Sequence, residues 1–142
     1  MPLLRFDLVA GRTDGELCST RPMAPSSKRS ACPTATAIVH EHRASRMIIE
    51  DTGLGIPRTD KVVFLQVTSR KRKKKQKEDF YRLICKELEN ECGISPFDVV
   101  VSFVENGDED WSFELGRAQC LNGDLQPSHA ATWAVGAAAN RA

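Results

Sequence analysis

Alternation of apolar and polar positions organises most of the chain. In residues 2–9, PLLRFDLV, Leu4, Phe6 and Leu8 alternate with Leu3, Arg5 and Asp7, which predicts a strand. AGRTDGE then turns the chain, with Thr13 or Asp14 placed to cap a helix. No helix pattern follows. Residues 18–37, CSTRPMAPSSKRSACPTATA, contain Pro22, Pro25 and Pro33 and no Leu, Ile, Val, Phe, Tyr or Trp. An interior proline costs a helix about 3 kcal/mol, and no apolar stripe is present to offset it, so this stretch reads as a long loop.

Regular patterning resumes at IVHEH (38–42), a strand, with RMIIED (46–51) as its hairpin partner and RAS as the connection. TGLGIPRTD reads as loop. KVVFLQVTS (61–69) is nearly apolar throughout, as expected of a strand buried on both faces. RKRKKKQKEDFYRLICKELENECG begins basic and becomes amphipathic. Phe80, Leu83, Ile84 and Leu88 recur at i, i+3, i+4 and i+8, Gly93 stops the helix and Pro96 follows. FDVVVSFVE (97–105) predicts another strand, NGDED a turn and WSFELG a short strand or hairpin arm. Residues 126–142 are Ala-rich and read as a C-terminal tail behind a domain spanning residues 1–125. The second half is a β-α-β unit, and the first would be one if its connection were helical. Two such units in tandem make an α/β sandwich: one mixed sheet with helices on one face, the first helix disrupted.

Composition narrows the function classes. The 142 residues, 41% hydrophobic and 27% charged, suffice for one globular domain with a core. A net charge of +1 supplies no global field toward nucleic acid or membrane. No apolar run approaches the roughly 18 residues of a membrane span, and no basic-then-apolar leader opens the chain, so a cytoplasmic protein is expected. Cys18, Cys32, Cys85, Cys92 and Cys120 form no C-x-x-C pair, which favours reduced thiols over zinc or thioredoxin-like chemistry. Cys85 and Cys92, seven apart, are expected to pack on one helix face.

Four features carry candidate chemistry. Pro2 is harmless as the first residue of a strand. If Met1 is removed, it instead bears a free secondary amine, and chain amines titrate near working pH. Seven of the eight residues in RKRKKKQK (70–77) are basic, as in a solvated helix start or a nucleic-acid patch. Yet Arg70 and Arg72 directly follow a buried strand at its carboxyl end, where α/β sites lie, and strand periodicity would put them on one face. Trp111 and Phe113 alternate likewise, as core residues or pocket wall. His40 and His42 share a strand face and suggest metal, but no third ligand accompanies them, so none is expected. Glu105, Asn106, Asp108 and Asp110 read as acidic turn residues.

A β-α-β pair beginning Met-Pro resembles the tautomerase superfamily. The motifs PLLRFDLVAGRTD, MIIEDTGLG, V.SR.R...QK..FY, L...CGISP.DV.VS.VEN.DEDWSF and LGRAQ.L.GDL sharpen the resemblance to the malonate semialdehyde decarboxylase-like branch, over nearly all of residues 2–17 and 39–125. The resemblance implies a catalytic N-terminal proline, Pro2, and a homotrimer acting on small carboxylate-bearing oxo acids or their enols, without metal or organic cofactor. It implies that Arg70 and Arg72 bind the substrate carboxylate, which guanidinium can grip bidentately, and that Trp111 and Phe113 wall the pocket. No membrane or nucleic-acid partner is expected. A plain enol–keto tautomerase, an inactive remnant and a basic-patch binding protein are the alternatives.

Residues 18–37 depart from the family, whose members carry an amphipathic helix there and then a DRDRYQ segment. Decarboxylase and hydratase members use an aspartate of that segment beside the proline, and this chain reads PTATA instead. ACPTATAI is what a GC-rich coding sequence for GVPDRDRYQ yields one base out of frame. The stretch therefore reads as a frame-shifted segment between two compensating indels.

Overall fold

Four strands form one mixed sheet in the order β2-β1-β3-β4. The computed structural model describes residues 2–12, 36–51 and 53–123. β1 (Leu3–Val9) runs parallel to β2 (Thr36–His42) and antiparallel to β3 (Val63–Ser69), and β3 runs parallel to β4 (Val99–Glu105). Helix α1 (Lys74–Cys92) makes the crossover from β3 to β4, and a short helix α2 (Gln119–Asn122) follows the last strand. This is the mixed-sheet architecture expected from the pattern. Among the described residues no helix is long and apolar enough to cross a membrane.

The core lies where β1 and β3 meet α1. Register pairs Leu4 with Val67, Phe6 with Leu65 and Leu8 with Val63, so these six side chains share one sheet face. Phe80, Leu88 and Cys92 of α1 close over them with Ile94, while Ile84, Val99, Val101 and Phe103 pack around the margin. The rings of Phe80 and Phe103 meet edge to face at 5.4 Å, a geometry that aligns the positive edge of one ring with the negative face of the other. At the start of α1, Gln76 Oε1 accepts the Lys73 N–H at 3.0 Å, satisfying a donor that would otherwise lack an intrahelical partner. At its end, Gly93 takes φ 60°, and the Gly93 and Ile94 N–H groups donate to Glu89 and Leu88. Buried Asp98 fastens the preceding loop to the start of β4, accepting both the N–H and the hydroxyl of Thr59 at 2.7 Å.

Several expectations are corrected. β3 is closed on one face only: Val63, Leu65, Val67 and Ser69 are buried, whereas Phe64, Gln66 and Thr68 are half-exposed on the side away from α1. Apolar residues on both faces of a strand therefore do not require cover on both within one chain. Leu83 leaves the α1 stripe and is exposed, because the buried positions follow the four-residue spacing of Phe80, Ile84, Leu88 and Cys92. Cys92 packs as expected, and half-buried Cys85 has its thiol pushed up by burial and by neighbouring Glu89.

The hairpin partner RMIIED does not form. Ala44–Arg46 is a single 3-10 turn, and Met47 to Asp51 run outside the sheet. The Asp51 carboxylate accepts the N–H groups of Leu54, Gly55 and Ile56 and commits the chain to a turn. Those hydrogen bonds, Gly55 first, overcome slight burial and lower the Asp51 carboxyl below its ordinary range. WSFELG forms no strand either, and Leu115 within it takes φ 53°, outside extended geometry. β2 begins at Thr36, two residues inside the stretch read as loop. Thr13, Asp14, Cys18, Cys32, the remainder of residues 18–35 and the tail 126–142 lie outside the described residues.

Candidate active site

Three strand ends meet beside Pro2. The antiparallel register of β1 and β3 pairs Leu3 with Thr68, so one further step sets buried Pro2 opposite Ser69, the last residue of β3. The parallel register of β3 and β4 sets Glu105 on the far side of Ser69. On the other flank the Pro2 carbonyl accepts the Thr36 N–H at 3.2 Å. The end of the PTATA segment thus reaches the place where the family resemblance puts a catalytic aspartate, and Thr36 and Ala37 offer no carboxylate there.

Arg70 and Arg72 leave the sheet at this point, but not as strand residues. β3 stops at Ser69, so alternation does not govern them. Arg70 is exposed and meets Asp108 at 2.5 Å, both side chains remaining about half in solvent. Arg72 is half-buried. It lines a groove of about 350 Å³ with Lys74, Lys77, Glu78 and Tyr81, and a smaller cleft with Val67, Ser69, Gln76, Phe80 and Phe103. The two arginines start from one corner of the sheet but make different contacts.

The basic run is divided between roles. Lys77 Nζ contacts Glu105 Oε1 at 2.6 Å and sits 5.5 Å from the centre of the Phe103 ring. The Lys77 hydrogen bond, aided by the charges of Lys77 and Lys71 and by the Arg72 N–H, outweighs desolvation and holds the Glu105 carboxyl below its ordinary range. Lys74 pairs with Glu78 and Lys75 with Asp79 along the solvated helix face, contacts that contribute little.

Trp111 and Phe113 stack face to face, with centroids 5.5 Å apart and planes 7° apart. They lie outside the core cluster, Trp111 half-buried and Phe113 exposed, and outside the described lining of the two clefts. Buried Gln119 of α2 fixes their backbone, accepting the Phe113 N–H at 3.0 Å and donating to the Glu114 carbonyl at 2.8 Å.

Asp108, Lys77, Glu105 and Gln119 are contributors the sequence did not single out. Glu105 and Asp108 read only as acidic turn residues, because their partners Lys77 and Arg70 are distant in sequence. The expectation that His40 and His42 lack a third partner is also overturned. Register sets Asp7 of β1 against His40, and Asp7 Oδ1 lies 2.7 Å from His42 Nε2 and 3.5 Å from His40 Nδ1.

Relatives agree with this architecture. A family model described as "Tautomerase enzyme" matches residues 35–114. "Probable tautomerase YrdN" of Bacillus subtilis (strain 168) is 49% identical over 129 residues, covering 88% of this chain and all of that protein. A crystal structure of malonate semialdehyde decarboxylase, described for its decarboxylase and hydratase activities, is similar at a TM-score of 0.74 and 44% identity, covering 87% of this chain and 99% of that one. A fused 4-OT, a symmetric trimer, shares the fold at a TM-score of 0.61 and 17% identity, over 84% of this chain and 98% of that one. A family model over more than half of the chain and a relative 49% identical along its whole length carry the conclusion: the chain belongs to the tautomerase superfamily, in its malonate semialdehyde decarboxylase-like branch.

Proposed function

We propose that this chain interconverts enol and keto forms of small oxo acids, with the Pro2 amine, freed by removal of Met1, carrying the proton. The observation that carries this reading is the burial of Pro2 beside Ser69, at the corner from which Arg70 and Arg72 emerge. A chain amine titrates near 7.7–8.0 in water. Burial and nearby cations disfavour the charged form of an amine, and the free base is the form this reading uses. That base takes a proton from the carbon or the enol oxygen of the substrate and returns it at the other position. Arg72, and Arg70 once Asp108 is displaced, hold the substrate carboxylate. Trp111 and Phe113 line neither described cleft, and their part in this reading is to close the site against water when substrate binds, which strengthens these charges.

Decarboxylation of malonate semialdehyde is the second reading, favoured by the 44% identity to that decarboxylase. The absence of a carboxylate at Thr36 and Ala37 beside Pro2 favours the simpler proton transfer. A homotrimer in the cytoplasm is proposed with it. The trimeric assembly of a structural relative supports the trimer.

Intact mass identifies the chain start, and ultraviolet absorbance follows enol–keto interconversion of a small 2-oxo acid. Pro2→Ala is expected to lower kcat at least about tenfold, the lower end of what a general base contributes. Arg70→Ala and Arg72→Ala are each expected to cost about 2–4 kcal/mol in kcat/KM, and Lys73→Ala, exposed and outside both clefts, next to nothing. Full activity with Met1 retained overturns the role of Pro2. An equal loss in Lys73→Ala overturns the arginine assignment in favour of a diffuse basic field.

A further inference from the structure

On the sheet face away from α1, at the opposite end of β1 from Pro2, three ligand-type side chains from two strands converge. His40 and His42 alternate onto one face of β2, and the parallel register places Asp7 directly against His40 and Val9 against His42. A single oxygen, Asp7 Oδ1, faces both rings, at 2.7 Å from His42 Nε2 and 3.5 Å from His40 Nδ1. One ligating atom from each of the three lies within 4.8 Å of the others. We propose that Asp7, His40 and His42 bind one divalent first-row transition-metal ion of the zinc class.

The donor set fits that chemistry. Two imidazoles and one carboxylate suit zinc and its neighbours, whereas magnesium and calcium prefer oxygen donors. An ion bonded at about 2.0–2.2 Å to nitrogen and oxygen spaces tetrahedral ligands by about 3.3–3.6 Å, which the 3.5 Å Asp7–His40 separation meets and the 2.7 Å Asp7–His42 hydrogen bond reaches by opening under one ångström. Asp7 is 9% exposed and held in place, while the two rings stay partly open to solvent and leave an entry path and room for water ligands. Arg5 supplies the outer contact that ligating carboxylates commonly have, with Nε at 3.0 Å from Oδ2 and an amino group at 3.1 Å from Oδ1. Its cation competes with a metal ion, yet its side chain is nearly half exposed and can turn to solvent. The ion would tie β2 to β1 across their uncovered face. It would act as a clip on an exposed edge strand, away from the proton-transfer site.

The test is Zn²⁺ titration of the metal-stripped full chain, by calorimetry and thermal melting, with Mg²⁺ as the control. One Zn²⁺ per chain is expected. At 100-fold excess over Kd the melting temperature should rise by several degrees, with no response to Mg²⁺. His40→Ala and His42→Ala should each weaken Zn²⁺ binding at least about tenfold. Both side chains are partly exposed, so these variants are expected to fold where Asp7→Asn would not be safe. Unchanged affinity in both histidine variants would assign the ion to cysteine thiols and overturn the proposal. No Zn²⁺-dependent heat or melting shift up to about 1 mM would overturn it as well.

Discussion

The two edge strands, β4 and β2, make an informative comparison. Each runs parallel to its inner neighbour through seven paired residues. β4 is half-buried from Val99 to Phe103, whereas β2 is exposed from Thr36 to Val39. Val39 shares the core face with Phe6 through its register yet remains 37% exposed. Pairing is the same in kind, so pairing does not set the difference, and on the β4 side α1 does. Residues 74–92 supply Phe80, Ile84 and Leu88 to cover β3 and β4. Residues 18–35 contain no Leu, Ile, Val, Phe, Tyr or Trp. Backbone hydrogen bonds fix register, but enclosure comes from side chains on the connecting segment. Polar contacts of His40 and His42 with Asp7 tie β2 to β1.

The largest expected effect comes from abolishing the contrast. Replacing residues 18–35 with an amphipathic helix bearing Leu at i, i+4, i+7 and i+8 would cover Val39 and its neighbours. Each side chain newly buried contributes about 1.5–3 kcal/mol, so several together should raise the melting temperature substantially and slow amide exchange in β2. An unchanged melting curve would mean that β2 gains nothing from a covering helix.

A smaller effect compares the two halves directly. Leu88→Ala, in the enclosed half at 1% exposure, should cost about 2–5 kcal/mol in denaturant unfolding. Val39→Ala should cost less than about 1 kcal/mol. Equal losses would show that β2 is covered in solution, by its own crossover or by another copy of the chain.

The smallest effect is electrostatic and confined to β1 and β2. Burial opposes ionisation of Asp7, but hydrogen bonds from His42 and Arg5 and their charges overcome it and lower its carboxyl below the ordinary 3.8. A lowered carboxyl contributes stability above its unfolded value and loses it as pH falls through the folded one. Asp7→Asn should therefore be less stable than the parent at pH 6, and the gap should narrow below pH 3.8. A gap that stays constant through the acid range would remove the ionised Asp7 from the contacts that hold β2.

PLLRFDLV is legible from its repeat of two, KVVFLQVTS and FDVVVSFVE from β-branched apolar runs, and the helix ending at Gly93 from its amphipathic stripe, while IVHEH is a short run whose strand the structure bears out. RMIIED was misread because a short apolar run carries no information about its partner, and the Asp51 carboxylate decided for a turn. Pro2, Arg70 and Arg72 were legible as candidates through family motifs. Their differing surroundings were not, since strand alternation no longer applies once β3 has ended at Ser69.

By itself, then, the sequence determined four strands and the helix ending at Gly93, that residues 18–37 carry no Leu, Ile, Val, Phe, Tyr or Trp, and that PTATA offers no carboxylate. Only the tertiary structure decided that Pro2 stands beside Ser69, that Asp108 holds Arg70 and Glu105 holds Lys77, and that Asp7 completes a cluster with His40 and His42. The physical reason is range. Periodicity and turn chemistry act over a few residues and are written locally. Strand order and register join residues 33 to 65 positions apart, and nothing in either partner alone encodes the pairing.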